Sequence, residues 1–466
     1  MSKNTSVHFE ISERKVLLRI IDILAVLLTL SIVGVIFNFD YFQVTSYNWI
    51  WTFMLVLYLT VFGSVFELYD LQKASKFEKV GQNIIFTASV TVLFFILTPF
   101  YTPSLPENRL QILFFFLAIV GALLLWRFAY ITIISAPRFY KKVLLIGNAS
   151  ELGLMVKALQ KSDPNYAIVG YINTSKDEVI SLGNKLIEFV PRHLSSTIRE
   201  QGITEIVVAS TNNNTKDGVD LTLLKQLNNL LIQGFSIKDY IQVYEDLTHR
   251  VPVQYIGKDF YKVFLFSRSN QNKFYLFFLR VFDLIFSLLG LIVCAILIPF
   301  IAVGNLIGNR GSLFYSQERV GQNAKSFKIL KFRTMPENSE KNGPQWTEKN
   351  DARIKGFGKF LRRTRLDEFP QFFNILKGEM SIIGPRPERP VFVKELSKMI
   401  PLYKTRHIVK PGLTGWAQVK ANYGSSHDDS LEKLQYDLYY IKHRGLFLDL
   451  DIMLKTLSAV IFFRGQ

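Results

Sequence analysis

A single cysteine, Cys294, among 466 residues leaves no partner for an intramolecular disulfide, and nothing in the chain argues for an oxidising compartment. It lies inside an apolar run, where a small core residue is the plain reading. Histidine is scarce as well: of six, His407, His427 and His443 stand alone without metal-ligand spacing, so surface or packing roles are expected for them. Acid is outnumbered, with 38 Asp and Glu against 55 Lys and Arg. The opening residues carry charges but lack a short apolar core followed by a small-residue cleavage site. No removable signal peptide is expected, and the first apolar run is expected to remain as an anchor.

What is plentiful is apolar: 49% of residues are hydrophobic and 40 are phenylalanine, the balance of a membrane protein with room for two or three domains. Four segments, Leu17 to Phe37, Trp49 to Phe66, Ile84 to Phe100 and Leu110 to Ile134, each approach the ~20 residues that cross a hydrocarbon core. Lys and Arg gather before the first (Lys3, Arg14, Lys15, Arg19), between the second and third (Lys73, Lys76, Lys79) and after the fourth (Arg138, Lys141, Lys142), whereas the other two loops hold only Arg109. That asymmetry predicts a cytoplasmic N-terminus and a cytoplasmic remainder, with Tyr47, Trp49 and Trp51 as outer-interface anchors. Arg127, near the inner end of the fourth span, is expected to snorkel to the headgroups, a functional cavity being the alternative.

From Lys141 the pattern turns to α/β. "KVLLIG", "AIVGYI" and "ITEIVVAS" read as strands, "ELGLMVKALQ" and Leu221 to Ile232 as helices, and "FSIKDYIQV" follows, which predicts a small doubly wound sheet. The turn after the first strand, Gly147 to Gly153, carries Ala149 and Leu152 where a dinucleotide fingerprint needs its second and third glycines. A Rossmann-like spacer without cofactor is expected. Further on, Leu284 to Ile307 is 24 residues without a charge, long enough to span. Yet basic residues flank it on both sides, Lys273 and Arg280 before it and a densely basic region after. Pro299 sits within it and removes a helical hydrogen bond. A re-entrant hairpin that returns to its own side is expected, with a straight fifth span as the alternative.

Between Arg310 and Lys410 stand 22 Lys and Arg against 10 Asp and Glu, a net +12 of the chain's formal +17. Such a field suits an anionic ligand or the anionic leaflet, and no nucleic-acid motif appears, so nucleic acid is not expected as a partner. Inside this field "RRTRLDEFPQFFNIL" places Asp367 and Glu368 just before Pro370, at the start of a helical pattern. The helix dipole and Arg362, Arg363 and Arg365 are expected to keep both carboxylates ionised, with plain N-capping by Asp367 as the alternative. Lys331 and Arg333 in "KILKFRTM" and Arg386 in "IIGPRPERP" complete the company. Carboxylates for Mg²⁺ and cations for a diphosphate are the groups that phosphoryl transfer requires.

Five motifs in order, "QERVG", "KILKFRTM", "LRRTRLDEFPQFFNILKGEMSIIGPRPE", "KPGLTGWAQVKANYG" and "YDLYYI", resemble the bacterial sugar transferase domain of monotopic polyprenyl-phosphate phosphoglycosyl transferases. With the spans and middle domain, the chain resembles the long members that initiate exopolysaccharide, capsule or O-antigen synthesis. The resemblance implies a membrane protein in three parts: a four-helix transmembrane bundle (1–137), a Rossmann-like, CoA-binding-like α/β domain (138–266), and a monotopic α/β catalytic domain (267–466) with a re-entrant membrane helix at about 274–307. It implies transfer of a sugar-1-phosphate from a UDP-sugar to undecaprenyl phosphate with release of UMP, at the bacterial inner membrane. Asp367 would be the nucleophile of a covalent phosphosugar intermediate and Glu368 its helper, the two also holding Mg²⁺. Lys331, Arg362 and Arg386 align with the family's phosphate-binding positions, and Arg333 is a further candidate. Pro370, Gln371 and Pro299 are supporting residues, although Ile298 stands where the family usually has Ser before the bending proline. A homodimer and contact with inner-membrane lipids are also expected, "MLKTLSAVIFF" and the basic helix before Asp367 being able to lie on the membrane surface or to pack as core. An idle membrane scaffold and a nucleotide-responsive regulator are the competing functions.

Overall fold

A computed structural model describes residues 11–37, 41–42, 47–70, 77–134, 141–162, 166–174, 186–190, 194–209, 221–253, 268–308, 311–336, 339, 351, 353–354, 356–421 and 426–461. The chain divides into two units at Thr248/His249. The domain borders expected near 137 and 266, and the basic residues Lys3, Lys73, Lys76 and Arg138, lie outside the described residues.

In the first unit the apolar runs become α1 (Ile11–Phe37), α2 (Trp49–Val65), α3 (Phe77–Leu97) and α4 (Leu110–Ala129). They bury Leu18, Leu59, Ile84, Phe115 and Leu123 among others in a common core. Among the described residues four helices are long and apolar enough to cross a membrane: Glu13–Phe37, Val80–Leu97, Leu110–Thr132 and Lys273–Gly308. The second predicted span, α2, is a shorter apolar helix of 17 residues.

Arg127 does not reach outward as expected. It is 0% exposed, and its Nη2 donates to Asp22 Oδ2 of α1 at 2.6 Å. A guanidinium among apolar helices is costly unless paired, and a carboxylate on the neighbouring helix supplies the pair. Tyr69 closes over these charges. After α2 the Leu68 N–H bonds to Gly63 O and Glu67 adopts φ 57°, turning the chain back so that the Tyr69 ring lies against Gly63. A Cβ at Gly63 would stand 2.8 Å from that ring, so any larger residue would have to displace Tyr69.

The rest of the first unit is a five-stranded sheet, β1 (Lys141–Gly147), β2 (Tyr166–Asn173), β3 (Ile187–Glu188), β4 (Glu205–Val208) and β5 (Ser236–Asp239), in the order β3-β2-β1-β4-β5 with every pair parallel. Helices α5 (Ala149–Ser162), α6 (Leu194–Gln201), α7 (Leu221–Ile232) and α8 (Tyr240–Thr248) follow β1, β3, β4 and β5 in turn. β1 is nearly all apolar because it is central and covered on both faces. At the turn after β1, Asn148 Oδ1 accepts from the Glu151 N–H and so starts α5. Burial pushes the Glu151 carboxyl above its usual range.

The second unit is built on α9 (Lys273–Gly308), one continuous helix that contains the fifth apolar segment and Pro299. An antiparallel hairpin follows, β6 (Phe314–Val320) and β7 (Ser326–Phe332), then α10 (Gly356–Arg363) and α11 (Gln371–Lys377). Strand β8 (Ser381–Ile383) pairs in parallel with β9 (Gly412–Thr414), and α12 (Pro390–Met399), α13 (Trp416–Lys420), α14 (His427–His443) and α15 (Leu446–Ile461) complete the unit.

These elements grip α9 along its length. Arg280 donates to the carbonyls of Ile375 and Leu376 at the end of α11, at 2.7 and 2.8 Å. Asp283 accepts from Ser381 Oγ and the Ile382 N–H at 3.0 and 2.8 Å. Gly290 abuts the ring of Phe372, Cys294 and Ile301 pack with Phe332 and Leu361, and Gly304 and Gly308 abut Phe357. Arg280 to Gly308 is about 42 Å of helix axis, at 1.5 Å per residue.

Candidate active site

The acidic pair sits where one short helix stops and another begins. α10 ends at Arg363, and Arg365 adopts a left-handed conformation (φ 57°, ψ 17°), a strained choice for a residue with a Cβ. That reversal starts a single 3₁₀ turn, Leu366–Glu368, and Pro370 then precedes α11. Asp367 and Glu368 therefore occupy a turn of their own. Asp367 makes no capping hydrogen bond to either helix, so the capping alternative does not hold. Both residues are 7% exposed.

Three cations from three places converge on Glu368. Lys331 Nζ of β7 lies 3.3 Å and Arg386 Nη2, from the loop after β8, 2.9 Å from Oε1; Arg365 Nη1 lies 3.5 Å from Oε2. Asn374 fixes the first of these. Its Oδ1 accepts from the Leu330 N–H at 3.0 Å and its Nδ2 donates to Lys328 O at 2.8 Å, which ties α11 to the strand carrying Lys331.

The environment drives the two carboxyls apart. Burial, and then the charge of Glu368, push Asp367 well above the usual carboxylate range, against the pull of Lys331, Arg362 and Arg386. Burial also acts upward on Glu368, but Arg386, Lys331 and Arg365 outweigh it and hold Glu368 far below that range. Both groups are still ionised at neutral pH, as expected, but unequally held, with Asp367 pushed up to about 6 and Glu368 held far lower. Adjacent buried charges repel, and Glu368 takes the cations. Lys331 is itself pulled down, by burial, with Glu368 opposing.

The other expected residues are placed as follows. Arg362 donates from Nε to Thr334 Oγ1 at 2.9 Å, with its charge still felt by Asp367. Arg333 is held at Ser312, donating to its carbonyl and hydroxyl at 3.0 and 2.6 Å, and lies over the Tyr315 ring, so it is not brought to the dyad. Gln371 is buried at the start of α11, and Pro299 lies within α9. Asn374 was not singled out from sequence, and Arg365 was named there only as a charge acting on the carboxylates. The signal for Arg365 was its place three residues before Glu368; Asn374 showed none.

Among the described residues no cluster of three or more His, Cys, Asp or Glu is placed to hold a metal ion. The residues fit a hard cation that takes one or two carboxylates and completes its shell with substrate phosphate and water. Asp367 accepts no hydrogen bond among the described residues, so its oxygens are the better placed. The site thus offers one uncommitted carboxylate, one carboxylate locked by three cations, and a cationic wall.

A model of the bacterial sugar transferase family matches residues 274–463. The chain is 39% identical over 220 residues to a UDP-N-acetylgalactosamine-undecaprenyl-phosphate N-acetylgalactosaminephosphotransferase of Aeromonas hydrophila, covering 47% of this chain and 51% of that one. An undecaprenyl-phosphate glucose phosphotransferase of Komagataeibacter xylinus is 30% identical over 335 residues, 70% of this chain and 60% of its own. A Bacillus subtilis (strain 168) protein, provisionally named an undecaprenyl-phosphate N-acetylgalactosaminyl 1-phosphate transferase, is 46% identical over 144 residues, 30% of this chain and 79% of its own. The chain thus spans between half and three fifths of the first two relatives.

Proposed function

The chain belongs to the bacterial sugar transferase family, and on that premise we propose that it transfers a sugar-1-phosphate from a UDP-sugar to undecaprenyl phosphate. An oxygen of Asp367 attacks the sugar-linked phosphorus, the bond to the UMP oxygen breaks, and UMP leaves. The phosphosugar remains on Asp367 as an acyl phosphate. An oxygen of undecaprenyl phosphate then attacks the same phosphorus, Asp367 leaves, and undecaprenyl diphosphate-sugar is formed.

The observation that carries this reading is the contrast within the dyad. Glu368 is bound by Lys331, Arg386 and Arg365, whereas Asp367 beside it accepts no hydrogen bond among the described residues and is pushed up only to about 6, so that it is ionised at neutral pH. A carboxylate without donors is the better nucleophile, and the cations that hold its neighbour are the donors a diphosphate needs. Mg²⁺, when bound, would shield phosphate charge from an anionic nucleophile.

The reaction joins a water-soluble donor to a lipid, so the dyad belongs at the headgroup level of the cytoplasmic leaflet. The grip on α9 from Arg280 to Gly308 weighs against a straight crossing, because a helix whose two halves hold the same polar unit cannot place that unit on both sides of a bilayer; re-entry would further need α9 to bend at Pro299. The Lys and Arg asymmetry supports the cytoplasmic side. The all-parallel order of the middle sheet supports a Rossmann-like domain. The test is UMP release from a panel of UDP-sugars by full-length protein in undecaprenyl phosphate and Mg²⁺. Release that depends on the sugar and is lost in Asp367→Asn is expected; no release from any donor would leave the scaffold reading ahead.

A further inference from the structure

Arg386 is presented by a loop that is short of hydrogen-bond donors. Pro385 and Pro387 flank it, so two of three consecutive residues lack a backbone N–H, and the loop binds the rest of the unit through its carbonyls. All four carbonyls from Pro385 to Glu388 are engaged. Pro385 O accepts from the Gly412 N–H at 2.9 Å and Glu388 O from the Val320 N–H at 2.9 Å. Between them, Arg386 O accepts from Arg406 Nη2 at 3.0 Å and Pro387 O from Arg319 Nη1 at 3.1 Å.

The two side-chain donors are themselves anchored. Arg406 Nη2 lies 2.7 Å from Asp437 Oδ2 of α14, and Nη1 donates to Tyr403 Oη at 2.7 Å. Arg406 and Asp437 are both buried. Arg319 Nη2 donates to Gln317 Oε1 at 2.7 Å and Nη1 lies 3.6 Å from Glu388 Oε2. Among the described residues neither arginine pairs with Asp367 or Glu368. Their charges are spent elsewhere, and what they give the site is a fixed loop.

We propose that Arg406 and Arg319 are positioning residues for Arg386: by holding the carbonyls of residues 386 and 387 they set its guanidinium against Glu368, where it meets the substrate phosphate. This rests on the phosphoryl-transfer reading above. A guanidinium serves here because its fixed fork reaches two acceptors, Nη2 the Arg386 carbonyl and Nη1 the Tyr403 hydroxyl, while its charge pairs with the Asp437 carboxylate. A backbone donor at the same place would have no such second anchor.

A double-mutant cycle tests it. Arg406→Gln is combined with Asp437→Asn, since Asp437 left buried and unpaired can unfold the unit; Arg319→Gln is made separately. Each variant should lower kcat/KM for UMP release about 30- to 100-fold, yet by less than about 3-fold in an Arg386→Ala background. Equal losses in both backgrounds would overturn the proposal, because a residue that merely holds the fold costs the same whether or not Arg386 is present. Amide exchange gives a readout independent of turnover, and faster exchange confined to the peptide covering residues 381–390 is expected. Unchanged exchange there overturns the clamp. If the unsubstituted protein releases no UMP, the functional reading fails and the exchange result alone decides the clamp.

Discussion

At the residue scale, Asp367 and Glu368 are neighbours in sequence, equally buried, and opposite in behaviour. Asp367 binds its proton more tightly folded than unfolded, so it adds stability below the unfolded carboxylate range, and that contribution is lost as pH rises through about 6. Above that pH the ionised group is a net cost. Asp367→Asn should therefore abolish UMP release while raising the melting temperature at pH 8, by the equivalent of roughly 1–3 kcal/mol, and the gain should shrink toward pH 5. A lower melting temperature at pH 8 would contradict this. The nucleophile must also be ionised, so kcat/KM should fall on an acid limb near pH 6, measurable with a fixed UDP-sugar across pH 5 to 8. The acidic pair, Lys331 and Arg386 were legible in the sequence because motif and local charge marked them. Arg365 was legible as a neighbouring charge but not in its left-handed φ, and Asn374 and Arg406 were not legible, since hydrogen bonds to residues 20 or more positions away leave no local pattern.

At the element scale, α9 and α11 are pressed together at one glycine. A Cβ at Gly290 would stand 2.4 to 2.6 Å from Phe372 ring atoms, Cγ included, so the near end of that side chain cannot yield without moving α11. Phe372 lies four residues past Glu368. Gly290→Val should destabilise the unit by about 1–3 kcal/mol, as overpacked cores do, and by displacing α11 should lower kcat for UMP release. Gly121→Ala, where a Cβ meets nothing within 4 Å, should leave UMP release unchanged. The four-helix part offers a parallel test. Asp22→Leu strands Arg127 and should cost about 3–5 kcal/mol, and adding Arg127→Leu should restore most of it, read by thermal unfolding in detergent. The helices themselves were plain from their apolar runs. The ion pair was not, because residues 105 positions apart meet only when α1 packs on α4.

At the scale of the whole molecule, the chain joins membrane helices, a parallel α/β sheet and a unit carrying a dyad amid cations. The order of these parts was legible from hydropathy and strand periodicity, since each changes over tens of residues. The extent of α9 was carried by the family resemblance, at about 274–307, and not by hydropathy, because charges at Lys273 and Arg280 mask its first turns; where a hairpin was expected, one continuous helix runs from Lys273 to Gly308. The central claim is that Asp367 carries the phosphosugar between two half-reactions. It is tested most directly by the mass of the full-length protein after incubation with a UDP-sugar and Mg²⁺ without lipid acceptor. One sugar phosphate on the peptide bearing Asp367, discharged by undecaprenyl phosphate and absent from Asp367→Asn, is the predicted result. UMP release only when undecaprenyl phosphate is present, with no adduct formed before its addition, would contradict the account.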